Sequence, residues 1–164
     1  MHAEAMDWLK RVQPLVGKRE RVCDLGSYNV NGSAREVFEL DAELYVGVDI
    51  RPGPGVDEVA DAAWWRGRDE LFDLLISTEC LEHTPYAAAI CHNAYRLLKP
   101  GGVFLMTAAG IKRAPHSVNG NELPKEEFYR NVSEEDLREW LKPFAVALIQ
   151  DRAGEDIYSL AVKG

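Results

Sequence analysis

Alternation constrains this chain most: short apolar runs of strand length are separated repeatedly by segments with helical spacing. Residues 21–26 (Arg-Val-Cys-Asp-Leu-Gly) are one such run, closed by glycine, and residues 44–50 (Leu-Tyr-Val-Gly-Val-Asp-Ile) are nearly continuous in apolar character. Residues 72–77 repeat the pattern, as do residues 103–107 after the turn Lys99-Pro100-Gly101-Gly102, while residues 56–60 suit a weaker strand. Such runs predict strands covered on both faces. Between them, Ala34, Val37 and Phe38 mark a short helix with Asn31 or Ser33 as its N-cap. Residues 62–71 fit another short helix, and Thr84-Pro85 open one running to Leu98. A helix carrying Ala5, Trp8, Leu9 and Val12 precedes the series and is expected to end near residues 14–17. A helix starting at the capping box Ser133-Glu134-Glu135-Asp136 follows, then a hairpin of residues 144–150 and 156–162. This order predicts an α/β fold: a doubly wound, mostly parallel sheet with helices on both faces. The hairpin should add one antiparallel strand at an edge.

A chain of 164 residues has the size of one domain, and 46% hydrophobic with 28% charged residues is a globular composition. The formal net charge of −8 repels phosphate backbones and anionic bilayers, which argues against a nucleic-acid partner and against membrane attachment. With no apolar run of spanning length and no leader pattern, a cytoplasmic location is expected. Cys23, Cys80 and Cys91 are odd in number and lack a C-x-x-C pair, so no disulfide framework is expected. Cys80-x-x-His83 and Cys91-His92 are not paired knuckles, and no metal site is predicted from them.

In open α/β sheets ligands bind beyond the carboxyl ends of the strands. Those positions hold Asp24-Leu25-Gly26, Asp49, Asp61 and Ser77-Thr78-Glu79. An acid ending the second strand suits both hydroxyls of a ribose, so the ligand should contain adenosine. Asp24 separates the candidates. A pyrophosphate would be repelled by a carboxylate at the first turn, where a dinucleotide wants G-x-G-x-x-G. The ammonium group of S-adenosylmethionine (SAM) would instead be attracted, and Asp61 beside Ala62 can accept from an adenine amino group. A plainer alternative is that these acids cap the following turns and helices.

Taken together, these segments resemble the class I SAM-dependent methyltransferases. Val22-Cys23-Asp24-Leu25-Gly26-Ser27 resembles that family's first motif, Tyr45-Val46-Gly47-Val48-Asp49-Ile50 its second, and Val59-Ala60-Asp61-Ala62 its adenine contact. Residues 72–83 resemble the fourth-strand motif of the small-molecule branch, and residues 97–103 the turn into the fifth strand. The resemblance implies a Rossmann-like seven-stranded sheet with an antiparallel last strand, and SAM as the cofactor. It implies cofactor contacts from Asp24, Gly26, Ser27, Tyr28, Asn31, Gly32, Asp49, Ile50, Asp61, Ala62, Thr78 and Glu79. One departure is Tyr28, which stands where the family has a second glycine, with the loop lengthened to Gly32. The expected organisation of residues 1–164 is one domain: an N-terminal helix (1–16), a cofactor-binding core (21–109), a substrate loop or lid (110–132), and a helix with the closing hairpin (133–164).

Methyl transfer needs an in-line, water-poor site more than it needs side chains, and a base only where the acceptor loses a proton. His83 and His116 are the candidate bases. With no separate substrate domain expected, the acceptor is a soluble small molecule, or a glycan or peptide, met by residues 110–131 or by the N-terminal helix. The alternatives are a non-catalytic SAM-binding subunit and, less well supported, an NAD-dependent oxidoreductase.

Overall fold

The computed structural model describes residues 2–164, so position 1 of the expected N-terminal segment lies outside the described residues. Seven strands form one sheet: β1 (Arg21–Leu25), β2 (Leu44–Asp49), β3 (Glu58–Val59), β4 (Phe72–Thr78), β5 (Leu98–Ala109), β6 (Val146–Arg152) and β7 (Asp156–Val162). Their order is β3-β2-β1-β4-β5-β7-β6, with β1 to β5 parallel and β7 antiparallel to both its neighbours. The antiparallel strand expected at an edge is therefore interior, and β6 is the edge. Burial explains the choice. β7 contributes Ile157, Tyr158 and Ala161 to the core, whereas β6 is exposed along most of its length and ends in Gln150, Asp151 and Arg152. Charged residues of that kind blunt an open sheet edge.

Helices cover both faces. On one, Trp8, Leu9, Val12 and Val16 of α1 (Ala3–Val16) and Phe38 of α2 (Arg35–Phe38) pack on Val22, Leu74, Ile76, Leu105 and Tyr158. On the other, Ile90, Ala94 and Leu97 of α3 (Ala87–Leu97) and Leu137 of α4 (Glu134–Trp140) pack on Cys23, Leu25, Leu75, Phe104 and Met106. Residues 103–106 thus feed the two cores alternately, as the two-residue period of a strand requires. Cys23 and Cys91 are small core residues, and all three cysteines are free thiols.

Three local expectations are corrected. Residues 62–71 form turns, not a helix: Asn93 donates to the carbonyls of Ala62 and Trp65, and Arg96 to those of Trp65 and Gly67. Side chains of α3 therefore occupy the acceptors that helical bonds would use. β2 is not buried on both faces, because its outer neighbour β3 is only two residues long and leaves Leu44, Tyr45 and Val46 half-covered. The N-cap of α2 is neither Asn31 nor Ser33 but Ala34, which has no capping side chain; the Ser33 hydroxyl, one residue earlier, accepts the Arg35 N–H (3.2 Å). The capping box of α4 forms as expected between Ser133 and Asp136.

Residues 110–133 contain no helix or strand, but the segment is closed at its neck. The N–H groups of Gly110 and Lys112 bond to Glu155 and Gly154, and Asn131 donates to the carbonyls of Gly110 and Arg113. This is the construction of a compact surface loop whose ends meet.

Candidate active site

A cavity of about 350 Å³ opens beyond the carboxyl ends of β1, β2 and β4. All fourteen residues singled out in the sequence line it, from Asp24 and Asp49 to His83 and His116. At one end stand the strand-terminal acids. Asp24 is 2% exposed; its Oδ2 accepts the Tyr45 hydroxyl (3.1 Å), and its Oδ1 has no partner. Burial pushes its carboxyl up to about 7, with the Asp49 charge adding to the rise while the Tyr45 hydroxyl and the Arg35 charge oppose it.

Asp49 holds the loop after β1: its Oδ2 accepts the Tyr28 N–H (3.1 Å) and its Oδ1 the Arg51 N–H (3.0 Å). A carboxylate has about four acceptor sites, so two directions remain for ligand hydroxyls. Asp61 accepts the Ala63 N–H through Oδ1 (2.9 Å), which shapes the turn after β3. Beside Asp49, Ile50 is 67% exposed and offers an apolar surface to the cavity.

The first loop departs from an amide nest. Gly26 and Ser27 donate to the Val48 carbonyl, Tyr28 to Asp49, Asn29 to the Pro54 carbonyl and Gly32 to the Asn29 side chain. The amides at these five positions are satisfied within the protein, leaving side chains and cavity shape to meet a ligand there. Gly26 is required on two counts: its φ is +86°, and a Cβ would come within 2.5 Å of the Cys80 sulfur. The Tyr28 ring carries the Arg51 guanidinium on its face, 4.4 Å from the ring centre.

At the other end the chain is held by charge. Glu79, with φ +52° in a region that costs a non-glycine residue energy, accepts the Thr107 hydroxyl (3.1 Å) and pairs with Arg113 (2.6 Å). Arg113 also pairs with Asp156 at the start of β7 (2.9 Å). His2 Nδ1 accepts the Ala5 N–H, so Nε2 carries the ring proton toward Asp156 (3.1 Å) and Glu79 (3.4 Å). This one cluster ties the N-terminus, the end of β4, the long loop and β7 together. His83 and His116 lie ring edge to face, 5.1 Å apart, and both pack on Tyr129. Burial, aided by nearby His116 and arginine charges, lowers His83 to about 4. Glu82, fully buried and beside Glu79, is pushed well above the usual carboxylate range.

Sequence reasoning missed Tyr45, His2, Arg113 and Asp156. Tyr45 had a signal: with Val22 opposite Tyr45 and Asp24 opposite Gly47, Tyr45 and Asp24 share a face on adjacent strands. The other three meet across separations of 43 residues or more, or through Glu79, with no local pattern.

A family model described as "Methyltransferase domain" matches residues 1–150. Phosphoethanolamine N-methyltransferase 2 of Caenorhabditis elegans is 35% identical over 52 residues, which is 32% of this chain and 12% of that protein. Phosphoethanolamine N-methyltransferase 2 of Haemonchus contortus, solved with phosphomonomethylethanolamine and S-adenosylhomocysteine, superposes with a TM-score of 0.74 at 19% identity, covering 98% of this chain and 52% of that one. A Burkholderia thailandensis 1,6-didemethyltoxoflavin-N1-methyltransferase, solved with 1,6-didemethyltoxoflavin and S-adenosylhomocysteine, gives 0.71 at 18% identity, covering 98% and 78%. The chain thus spans about half the length of the Haemonchus enzyme and a small part of the Caenorhabditis one. Its fold and the family match agree: the chain belongs to the methyltransferase-domain family.

Proposed function

We propose that the cavity binds SAM through Asp24, Asp49, Ile50 and Asp61, and that the chain transfers its methyl group to a small-molecule acceptor entering beside His83 and His116. The observation that carries this is the unpartnered Asp24 Oδ1, buried in the cavity wall where a ligand ammonium would satisfy it. Asp49 has acceptor capacity for ribose hydroxyls, Ile50 gives an adenine ring an apolar neighbour, and Asp61 stands beside Ala62 as an acceptor for its amino group. When bound, SAM supplies an activated methyl on a sulfonium, so positioning carries most of the rate. His83 and His116 stand at the acceptor end, where an imidazole lone pair is offered to whatever enters beside them. Residues 110–131, anchored through Arg113 and Asn131, form the lid that excludes water from the acceptor. Two neighbours of like fold were solved with small nitrogen-bearing compounds, which supports a small acceptor over a glycan or peptide.

Calorimetric titration tests the reading directly. SAM and S-adenosylhomocysteine (SAH) should bind in the micromolar range and raise the melting temperature, while NAD should do neither. Stabilisation by NAD alone would refute it, and SAM binding without turnover on any offered acceptor would favour a non-catalytic SAM-binding subunit.

A further inference from the structure

Glu82, His83 and His116 each bring one donor atom to within 4.8 Å of the others. Glu82 is fully buried; its Oε1 accepts the Ala109 N–H (3.1 Å), and its Oε2 has no partner. The His83 Nδ1 is also buried without a hydrogen bond, its nearest ionic neighbour being Glu127 Oε1 at 3.7 Å. On His116, Nδ1 faces the Ala114 carbonyl at 3.1 Å. A carbonyl only accepts, so Nδ1 holds the ring proton and the Nε2 lone pair is left for another partner. A backbone carbonyl behind an imidazole is how proteins orient a histidine that ligates a metal.

We propose that Glu82, His83 and His116 bind one divalent transition-metal ion. Buried polar atoms are normally paired, and here a carboxylate oxygen and an imidazole nitrogen are both left over in one cluster. Two imidazoles with one carboxylate suit zinc or a neighbouring first-row ion, not magnesium or calcium, which prefer oxygen ligands throughout. Three protein ligands leave coordination positions open. His83 and His116 line the same cavity as the strand-end acids, so the open side faces the acceptor end. Resting on the methyl-transfer function proposed above, this specifies the acceptor as a compound with an oxygen or nitrogen donor able to join the ion. The pairing visible in the sequence, Cys80 with His83, is not the one the fold assembles, because the Cys80 sulfur is packed against Gly26. Edge-to-face packing of His83, His116 and Tyr129 would by itself explain the proximity of the rings, but not the unpaired Glu82 oxygen.

The test is titration of the metal-stripped protein with Co²⁺, read by visible absorption, and with Zn²⁺, read by calorimetry. One ion per chain is expected. His116→Ala and Glu82→Gln should each weaken it by more than about a hundredfold, since even outer-shell partners of a metal site are worth about 10–100-fold. His116 lies in the loop and its replacement leaves the sheet untouched, so His116→Ala decides the question if Glu82→Gln fails to fold. SAH titrated into His116→Ala should bind as it does to the parent. Absence of stoichiometric Co²⁺ and Zn²⁺ binding, or binding that survives His116→Ala, would overturn the metal site. Metal binding in a parent protein that ignores SAH would instead overturn the methyl-transfer function and leave the metal site standing.

Discussion

Asp24 and Asp49 stand in strands whose backbone is bonded to the strands beside them, and Asp61 stands in the turn just after the edge strand β3, which its own carboxylate shapes. Where His83 and His116 stand, no strand holds the residues: His83 ends a single 3₁₀ turn (Leu81–His83) after β4, and His116 sits in a segment without helix or strand. That second end is assembled by ions and amides that reach across the fold, with Arg113 pairing to Glu79 and Asp156 and Asn131 closing the neck. The comparison teaches that one cavity can have a wall built by sheet register and a wall built by tertiary ion pairs. Sheet register changes little with sequence outside the strands, whereas a loop held by a few long-range bonds can be replaced without unfolding the protein.

The largest effect should come from cutting the second wall away. Replacing residues 114–122 with a short Gly-Ser link, keeping Arg113, should lower turnover by at least about a hundredfold, the scale of lost positioning and water exclusion. SAH affinity, measured by calorimetry, should change little. Full turnover by the shortened protein would make the loop an idle connection and dissolve the contrast between the two walls.

Next in size is the first wall. Asp49→Ala should weaken SAH by about 2–3 kcal/mol, roughly 30- to 200-fold, because it removes charge-assisted acceptors from ligand hydroxyls and releases the Tyr28 N–H. Asp49→Asn should recover part of the loss. Unchanged SAH affinity with a lowered melting temperature would reduce Asp49 to a brace for the loop.

A pH series sharpens the same wall. Asp24 has a folded value of about 7 against an ordinary 3.8, so the folded protein holds a proton there that the unfolded chain releases. Stability from this group is therefore present below about pH 4 and is lost as pH rises toward 7. A ligand ammonium favours the ionised carboxylate, so binding expels that proton, and SAH affinity should climb by up to about tenfold per unit below pH 7. Asp24→Asn should flatten both profiles, as followed by calorimetry and thermal melts. A slope that persists in Asp24→Asn would belong to another group.

The smallest effect probes the tether. Arg113→Ala leaves the Glu79 and Asp156 carboxylates without their shared cation, and limited proteolysis within residues 114–128 should speed up about tenfold, matching roughly 1–2 kcal/mol of lost local stability. SAH affinity should shift less than about threefold. Equal cleavage of parent and variant would show that the neck bonds of Asn131 suffice.

The sequence by itself determined the strands, the two-faced covering of the sheet, the capping box at Ser133 and the placing of acids at three strand ends. Those features rest on patterns only a few residues long: apolar runs, helical spacing, caps, and the rule that strand termini face ligands. The tertiary structure alone decided the rest. Residues 62–71 read as a helix until Asn93 and Arg96, about thirty residues away, take their carbonyls. β7 became interior, not the edge, because Ile157, Tyr158 and Ala161 gain more from burial than anything β6 offers. His116 came together with Glu82 and His83, and Arg113 with Glu79 and Asp156, across 33 to 43 residues of chain. No local pattern encodes such meetings, since which distant groups face one another is fixed only when the sheet order and the course of the loop are set.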